Sequence, residues 1–137
     1  MHITHSSAET ERIAQDFAAL LKGGDCVALF GGLGAGKTAF TRGLARGLGI
    51  DEPVSSPTYA IVNEYRSGNL VLAHFDMYRI STWSDLESCG FFDYLDSGAI
   101  VVTEWSENIL EALPQNTIRV ELKHGQSDGE RIITIGV

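Results

Sequence analysis

The stretch "GGLGAGKT", residues 31–38, constrains this chain more than any other. Four glycines surround one lysine and one threonine. Glycine loses more backbone freedom on folding than any other residue, so ordering such a loop costs stability and needs a use that offsets it. Gly31-x-x-x-x-Gly36-Lys37-Thr38 fits the phosphate-loop pattern, which requires a strand before it and a helix after it. Cys26 to Phe30 is a short apolar run bounded by turn residues, the pattern of a strand buried on both faces. Phe40, Leu44 and Leu48 recur every four residues and predict a helix from near Gly36 to about Gly49. In that setting the glycines let backbone N–H groups turn inward around a phosphate, and the new helix adds its positive end. The cradle is expected to run from Gly32, Leu33, Gly34, Ala35 and Gly36 through Lys37, Thr38 and Ala39. Lys37 would reach β and γ phosphates, and the Thr38 hydroxyl would bind Mg²⁺. The plainer alternative is a glycine-rich turn before a helix, but the motif is complete and correctly placed.

The surrounding pattern extends the strand–loop–helix unit into an α/β sheet protein. Ser6-Ser7-Ala8-Glu9 reads as a capping box, followed by Ile13, Phe17, Leu20 and Leu21 on one helical face. Gly23-Gly24 are expected to end that helix as a left-handed cap. Strands are predicted at Tyr59 to Tyr65, Leu70 to Phe75 and Ile100 to Thr103. Ile118, Val120 and Leu122 alternate with charged residues, as in a half-exposed strand, and Ile133 and Ile135 could pair with it across Gly125 to Gly129. Residues 82–96 should hold short helices packed through Phe91, Phe92, Tyr94 and Leu95. The expected fold is a P-loop NTPase-like central, mostly parallel sheet with helices on both faces and an antiparallel edge.

At 137 residues the chain has the length of one domain, taken as residues 1–137. Its formal net charge of −8 works against direct binding of a phosphate backbone, though not against action on nucleic acid through a partner. No apolar segment is long enough to span a membrane, and the N-terminus lacks the apolar core of a signal peptide. Cys26 and Cys89 form no metal-ligand spacing with the four histidines and read as buried reduced thiols. A cytoplasmic location is the expectation.

A phosphate loop needs an acid at the end of a neighbouring strand to hold magnesium or its water shell. Two apolar runs end in one: residues 70–75 lead into Asp76, and residues 100–103 lead into Glu104. Strand ends beside the loop are where ligands sit in such sheets. In "SSPTY", residues 55–59, Pro57 stiffens the backbone before Thr58. Thr58 either completes the magnesium shell as part of a switch loop over residues 54–59 or sits in a turn entering a strand, and spacing does not choose. Asn-Lys-x-Asp and Asp-x-x-Gly, the guanine-reading and switch motifs, are both missing, so ATP is the expected nucleotide.

"GGLGAGKTAFTRGLARGLG", "SSPTYAIVNEY", "HFDMYRI" and "TEW", in this order and spacing, resemble the bacterial TsaE (YjeE) ATPases. The likeness runs from the first helix to about Pro114 and is loose beyond. It implies an ATPase needed to form threonylcarbamoyladenosine on adenosine 37 of ANN-decoding tRNAs, acting with the partners TsaD and TsaB and meeting tRNA only through them. It places Thr38 and Glu104 at the magnesium and makes Asp76 the Walker-B-like carboxylate, which activates water or holds a metal-bound one. It assigns Lys37 to phosphate, Thr58 to the switch loop and Trp105 to the side of the nucleotide site. Ser7 and the Gly129-Glu130-Arg131 turn are carried over as nucleotide contacts on a thinner likeness.

Other residues have plainer readings. His74 reads as a strand histidine satisfied in the core rather than a catalytic base. Arg79 reads as the partner of a nearby carboxylate rather than an arginine finger. Trp83 and Trp105 could be strand-end packing, and Arg42 and Arg46 a solvated face or a partner contact. Two rival functions stay open: a small-molecule kinase, for which residues 77–99 offer only Arg79 as lid arginine, and a nonhydrolysing nucleotide sensor.

Overall fold

Cys26–Phe30 forms the central strand β2, and its side chains divide the core in two. The computed structural model describes residues 1–57 and 61–136. In chain order the elements are β1 (His2–Thr4), α1 (Ser7–Ala18), β2, α2 (Lys37–Gly47), β3 (Val62–Ser67) and β4 (Leu70–Asp76). They continue with α3 (Trp83–Ser88), α4 (Phe91–Asp96), β5 (Ile100–Glu104), a 3-10 segment (Ser106–Ala112), β6 (Ile118–His124) and β7 (Arg131–Gly136). Val27 and Leu29 face α1 and α2, packing with Phe17, Phe40 and Leu44. Cys26 faces the other way, with Phe75 and Val101 of the sheet and Leu86, Phe91 and Ile109 from α3, α4 and the 3-10 segment. Both faces are thus covered, and a continuous apolar strand is what that burial requires.

The seven strands form one sheet in the order β1-β7-β6-β2-β5-β4-β3. β2 runs parallel to β5 and β6, and β5 runs parallel to β4. Antiparallel pairs close both margins, β3 on β4 at one side and β6-β7-β1 at the other. The sequence pointed to one such edge. The second arises because β3 and β4 are joined only by Gly68 and Asn69. A two-residue turn can join only antiparallel neighbours.

Local details depart from the sequence pattern in three places. Ser6 caps α1 by accepting from Glu9 N, but Glu9 Oε1 accepts from His5 N rather than from the cap's own amide. α1 then stops at Ala18, before Gly23-Gly24, and Leu20 is left 75% exposed. The glycines instead meet the 98–99 turn: Gly24 N donates to Ala99 O at 2.9 Å, and a Cβ on Gly23 would lie 2.6 Å from Gly98 O. Cys26 is buried, which pushes its thiol up to about 12, but Cys89 is only half-buried. Both are free, and no helix among the described residues is long and apolar enough to cross a membrane.

α2 lies directly on α1. A Cβ on Gly43 would collide with Glu11 O, and one on Gly47 would lie 2.6 Å from Ala18 Cβ. Arg42 and Arg46, expected at a solvated or partner face, both turn to the largely buried Glu11 carboxylate, at 3.3 and 3.0 Å. The close crossing brings a carboxylate within their reach. Gly43→Ala should therefore destabilise the protein by about 1–3 kcal/mol through overpacking, despite the ~1 kcal/mol alanine gains in a helix. Gly136→Ala, into open space, should stay within about 0.5 kcal/mol of wild type. Urea unfolding checks both; an unchanged Gly43→Ala would mean the helices do not need this close approach.

Candidate functional site

The loop after β2 is shaped by what its glycines touch. A Cβ on Gly31 would press 2.5 Å from Leu122 O of β6, and Gly36 holds φ +102°, where other residues are strained. Gly36 is the N-cap of α2, no side chain caps it, and the first backbone bond runs from Phe40 N to Gly36 O at 2.9 Å. The opening amides of α2 are thus left outside the helix ladder, at its positive end. Gly32, Leu33 and Gly34 are exposed, while Ala35 and Ala39 are buried and can offer a ligand only backbone. Lys37 Nζ donates to Gly31 O at 2.8 Å, and Thr38 is half-buried one residue on.

Two carboxylates end neighbouring strands on this side of the sheet. β4 and β5 pair in parallel so that Asp76 lies opposite Glu104 at their ends. Because β5 runs between β2 and β4, Glu104 sits next to the loop and Asp76 one strand further. Glu104 is only 6% exposed, and its Oε2 accepts from His74 Nε2 at 2.5 Å and from Ser56 Oγ at 3.2 Å. Burial pushes the Glu104 carboxyl up, but the His74 bond and charge, the Lys37 ammonium and the Ser56 hydroxyl together hold it below the ordinary range. Asp76 is half-buried, and its Oδ1 accepts from Tyr78 N at 2.9 Å, which fixes the carboxylate and leaves Oδ2 for another partner.

Trp105, directly after Glu104, is the one non-glycine residue with positive φ among those described, at φ 57°. The reversal brings its ring to 5.3 Å from Lys37 Nζ and 4.8 Å from the Tyr78 ring. Ser106 anchors the turn, with Oγ 2.9 Å from Leu29 O and 2.7 Å from Thr103 Oγ1. Trp105 therefore borders the loop lysine rather than only filling a strand end, while Trp83 stacks on Phe92.

At the loop's other side the C-terminal hairpin makes contact. Arg131 Nη2 donates to Gly34 O at 3.0 Å, so the turn carrying Gly129, at φ +80°, is tied to the cradle. Ser7 opens α1, whose Thr10 would lie 3.9 Å from a Cβ on Gly36. Thr58 lies outside the described residues. Arg79 is exposed and, among the described residues, forms no ion pair, contrary to the pairing its sequence position suggested.

The structure adds Ser56, Tyr78, Ser106 and the His74–Glu104 contact to what the sequence identified. Period-2 alternation could have placed His74 on the face of Asp76, but not beside Glu104, because strand order is not written in either strand. Among the described residues no three His, Cys, Asp or Glu side chains converge as a metal cluster. A cleft of about 390 Å³ lies away from the loop, between residues 80–86 and 107–112.

Comparison with known proteins follows the same lines. Residues 4–133 match the family described as "Threonylcarbamoyl adenosine biosynthesis protein TsaE". The chain is 44% identical over 131 residues to the tRNA threonylcarbamoyladenosine biosynthesis protein TsaE of Bacillus subtilis (strain 168), covering 96% of this chain and 81% of the relative. It is 37% identical over 133 residues to the protein of that name from Treponema pallidum (strain Nichols), covering 97% of each. It is also similar to the crystal structure of YdiB from Bacillus subtilis, with TM-score 0.80, 37% identity, and coverage of 99% of this chain and 84% of that one.

A carboxylate held below its ordinary range contributes stability above its unfolded pKa and loses it as pH falls through the folded one. Glu104 should therefore add an acid-labile component to stability, fading below about pH 4.3, the value of a free glutamate. Thermal melting between neutral and acid pH should show Glu104→Gln losing less stability than wild type. Parallel curves would contradict the charged, donor-held carboxylate.

Proposed function

This chain belongs to the TsaE family of threonylcarbamoyl adenosine biosynthesis proteins, and we propose that its part in forming that tRNA modification is to bind and hydrolyse ATP. The observation that carries this reading is the uncapped start of α2, with Lys37 beside it, next to a strand end where Glu104 is paired with Asp76. Orphan amides and an ammonium suit a polyphosphate. The oxygen donors Thr38, Glu104 and Asp76 suit Mg²⁺, a hard cation that takes one or two carboxylates and keeps several waters. Bound there, the ion would neutralise charge between the β and γ phosphates.

The residues divide the work. Lys37, now on Gly31 O, has an ammonium free to move to phosphate oxygen over the face of Trp105. Glu104, kept charged, and Thr38 are the metal-side oxygens. Asp76, fixed by the Tyr78 amide, uses Oδ2 to orient water or receive its proton. Gly32, Leu33, Gly34, Ala35, Gly36 and Ala39 line the phosphates by backbone, with Ser7 and Gly129 at the rim. Thr58 would supply a further hydroxyl to Mg²⁺ when a γ phosphate is present, which would make residues 54–59 a switch.

Two features favour a partner-dependent ATPase. Among the described residues no arginine finger presents itself: Arg79 is exposed and Arg131 is engaged with Gly34 O. Hydrolysis by the chain alone should then be slow, since such a finger contributes about 10³- to 10⁵-fold. The charge of −8 leaves tRNA contact to others, in this reading the TsaB–TsaD complex, in the cytoplasm. A kinase would need lid arginines that residues 77–99 do not supply. A nonhydrolysing sensor would hold Mg²⁺ and ATP with the same residues, and measured turnover separates it from an ATPase.

Lys37→Ala should lower ATP turnover by about 10²- to 10³-fold, as loss of one preorganised charge does, without unfolding the protein. Asp76→Ala should keep ATP bound but slow hydrolysis by about 10²- to 10⁴-fold, whereas Glu104→Ala should weaken magnesium-dependent binding. Calorimetry and steady-state turnover separate these; equal loss of ATP affinity in both acid variants would contradict the division. TsaB–TsaD should bind the chain more tightly with a nonhydrolysable ATP analogue than with ADP, and Thr58→Ala should erase the difference. Equal affinity in both nucleotide states would remove the switch.

A further inference from the structure

His74 is fully buried on β4, two residues before Asp76 and on the same face of the sheet. Its neighbours on that face are Leu72 along the strand, Ile100 and Val102 on β5, and Asn63 directly across on β3, whose amide donates to Ser55 O. A carboxylate only accepts, so the ring proton in the 2.5 Å contact lies on Nε2 and is donated to Glu104 Oε2. The other ring nitrogen, Nδ1, is buried with no hydrogen-bond partner among the described residues. Leaving such a group unsatisfied costs roughly 1–3 kcal/mol, a cost that an aliphatic side chain would not incur. The polar work of this ring is therefore confined to one oxygen of Glu104.

That oxygen is doubly held. Ser56 Oγ donates to the same Oε2 at 3.2 Å, while among the described residues Oε1 receives no side-chain donor. Ser56 is itself placed from β3: Ser55 N donates to Tyr65 Oη, and Asn63 Nδ2 donates to Ser55 O. Carboxylates that bind metals are commonly fixed by outer hydrogen bonds of this kind, and the holder sets which oxygen is free. We propose that His74 is a positioning residue for Glu104, gripping Oε2 from below so that Oε1 is the oxygen presented to a divalent cation, with Ser56 as the weaker second grip. This rests on the reading of Glu104 as the metal-side carboxylate and adds which oxygen serves and what aims it. Without the grip, Glu104 would have to give up carboxylate rotation each time a cation bound.

The test compares side chains that differ in reach and in whether they can donate. Glutamine at position 74 can place an amide N–H where Nε2–H stands; asparagine is too short, and leucine has no donor. Binding of a nonhydrolysable ATP analogue is measured by calorimetry across a range of Mg²⁺ concentrations in wild type, His74→Gln, His74→Asn, His74→Leu and Ser56→Ala. His74→Leu and His74→Asn should need about 10- to 100-fold more Mg²⁺ for the same tightening, with magnesium-free affinity retained. His74→Gln should recover most of the wild-type response, and Ser56→Ala should shift it in the same direction but less. If His74→Leu does not fold, the glutamine–asparagine pair decides. A wild-type magnesium response in His74→Asn, or no advantage of glutamine over asparagine, would overturn the proposal and leave the reading of Glu104 standing. No magnesium response in wild type would overturn both.

Discussion

A carboxylate at the end of a buried parallel strand stays charged only if donors and cations meet it there, and this site is arranged around that requirement at Glu104. Burial by itself would drive the side chain toward its neutral form. His74 from β4, Lys37 from α2 and Ser56 from the stretch after α2 reverse that tendency, so one carboxylate draws three separate parts of the chain together. The strand order makes the meeting possible. With β5 between β2 and β4, the acid that ends β5 has the glycine loop on one side and Asp76 on the other.

The residue after Glu104 shows a local conflict resolved in favour of the site. A tryptophan at positive φ is strained by about 1–3 kcal/mol. The strain turns the indole back over Lys37 and against Tyr78, and it delivers Ser106 to the end of β2. An extended continuation of β5 would satisfy the backbone better, but it would carry the ring away from the lysine.

The strand, loop and helix around residues 26–47 were legible because local rules act there: an apolar run too short for a helix, a glycine spacing with one use, and a four-residue repeat. The strand-end position of Asp76 and Glu104 was legible for the same reason. Their being neighbours was not, since alternation names a face and not the strand across from it. The same gap hid the contact of His74 with Glu104. The early end of α1 was obscured because Leu20 continues the apolar period yet faces solvent, and the glycines that resembled its cap serve a close approach to Gly98. Arg42 and Arg46 looked solvated because Glu11 lies 31 residues before Arg42 in the chain and meets it only through the helix crossing. The role of Thr58 was undecided by spacing and lies outside the described residues.

The central proposal is that the chain couples ATP hydrolysis to tRNA modification through partners rather than transferring phosphate to a small molecule. Its most direct test is a reconstitution containing the chain, the TsaB–TsaD complex, the activated threonylcarbamoyl donor and an ANN-decoding tRNA, in which ATP consumption and threonylcarbamoyladenosine are followed together. The account predicts slow release of inorganic phosphate by the chain alone, faster release with the complex, and sustained modification only when chain and ATP are both present. Sustained modification without the chain, or phosphate recovered on an added small acceptor rather than in solution, would contradict it.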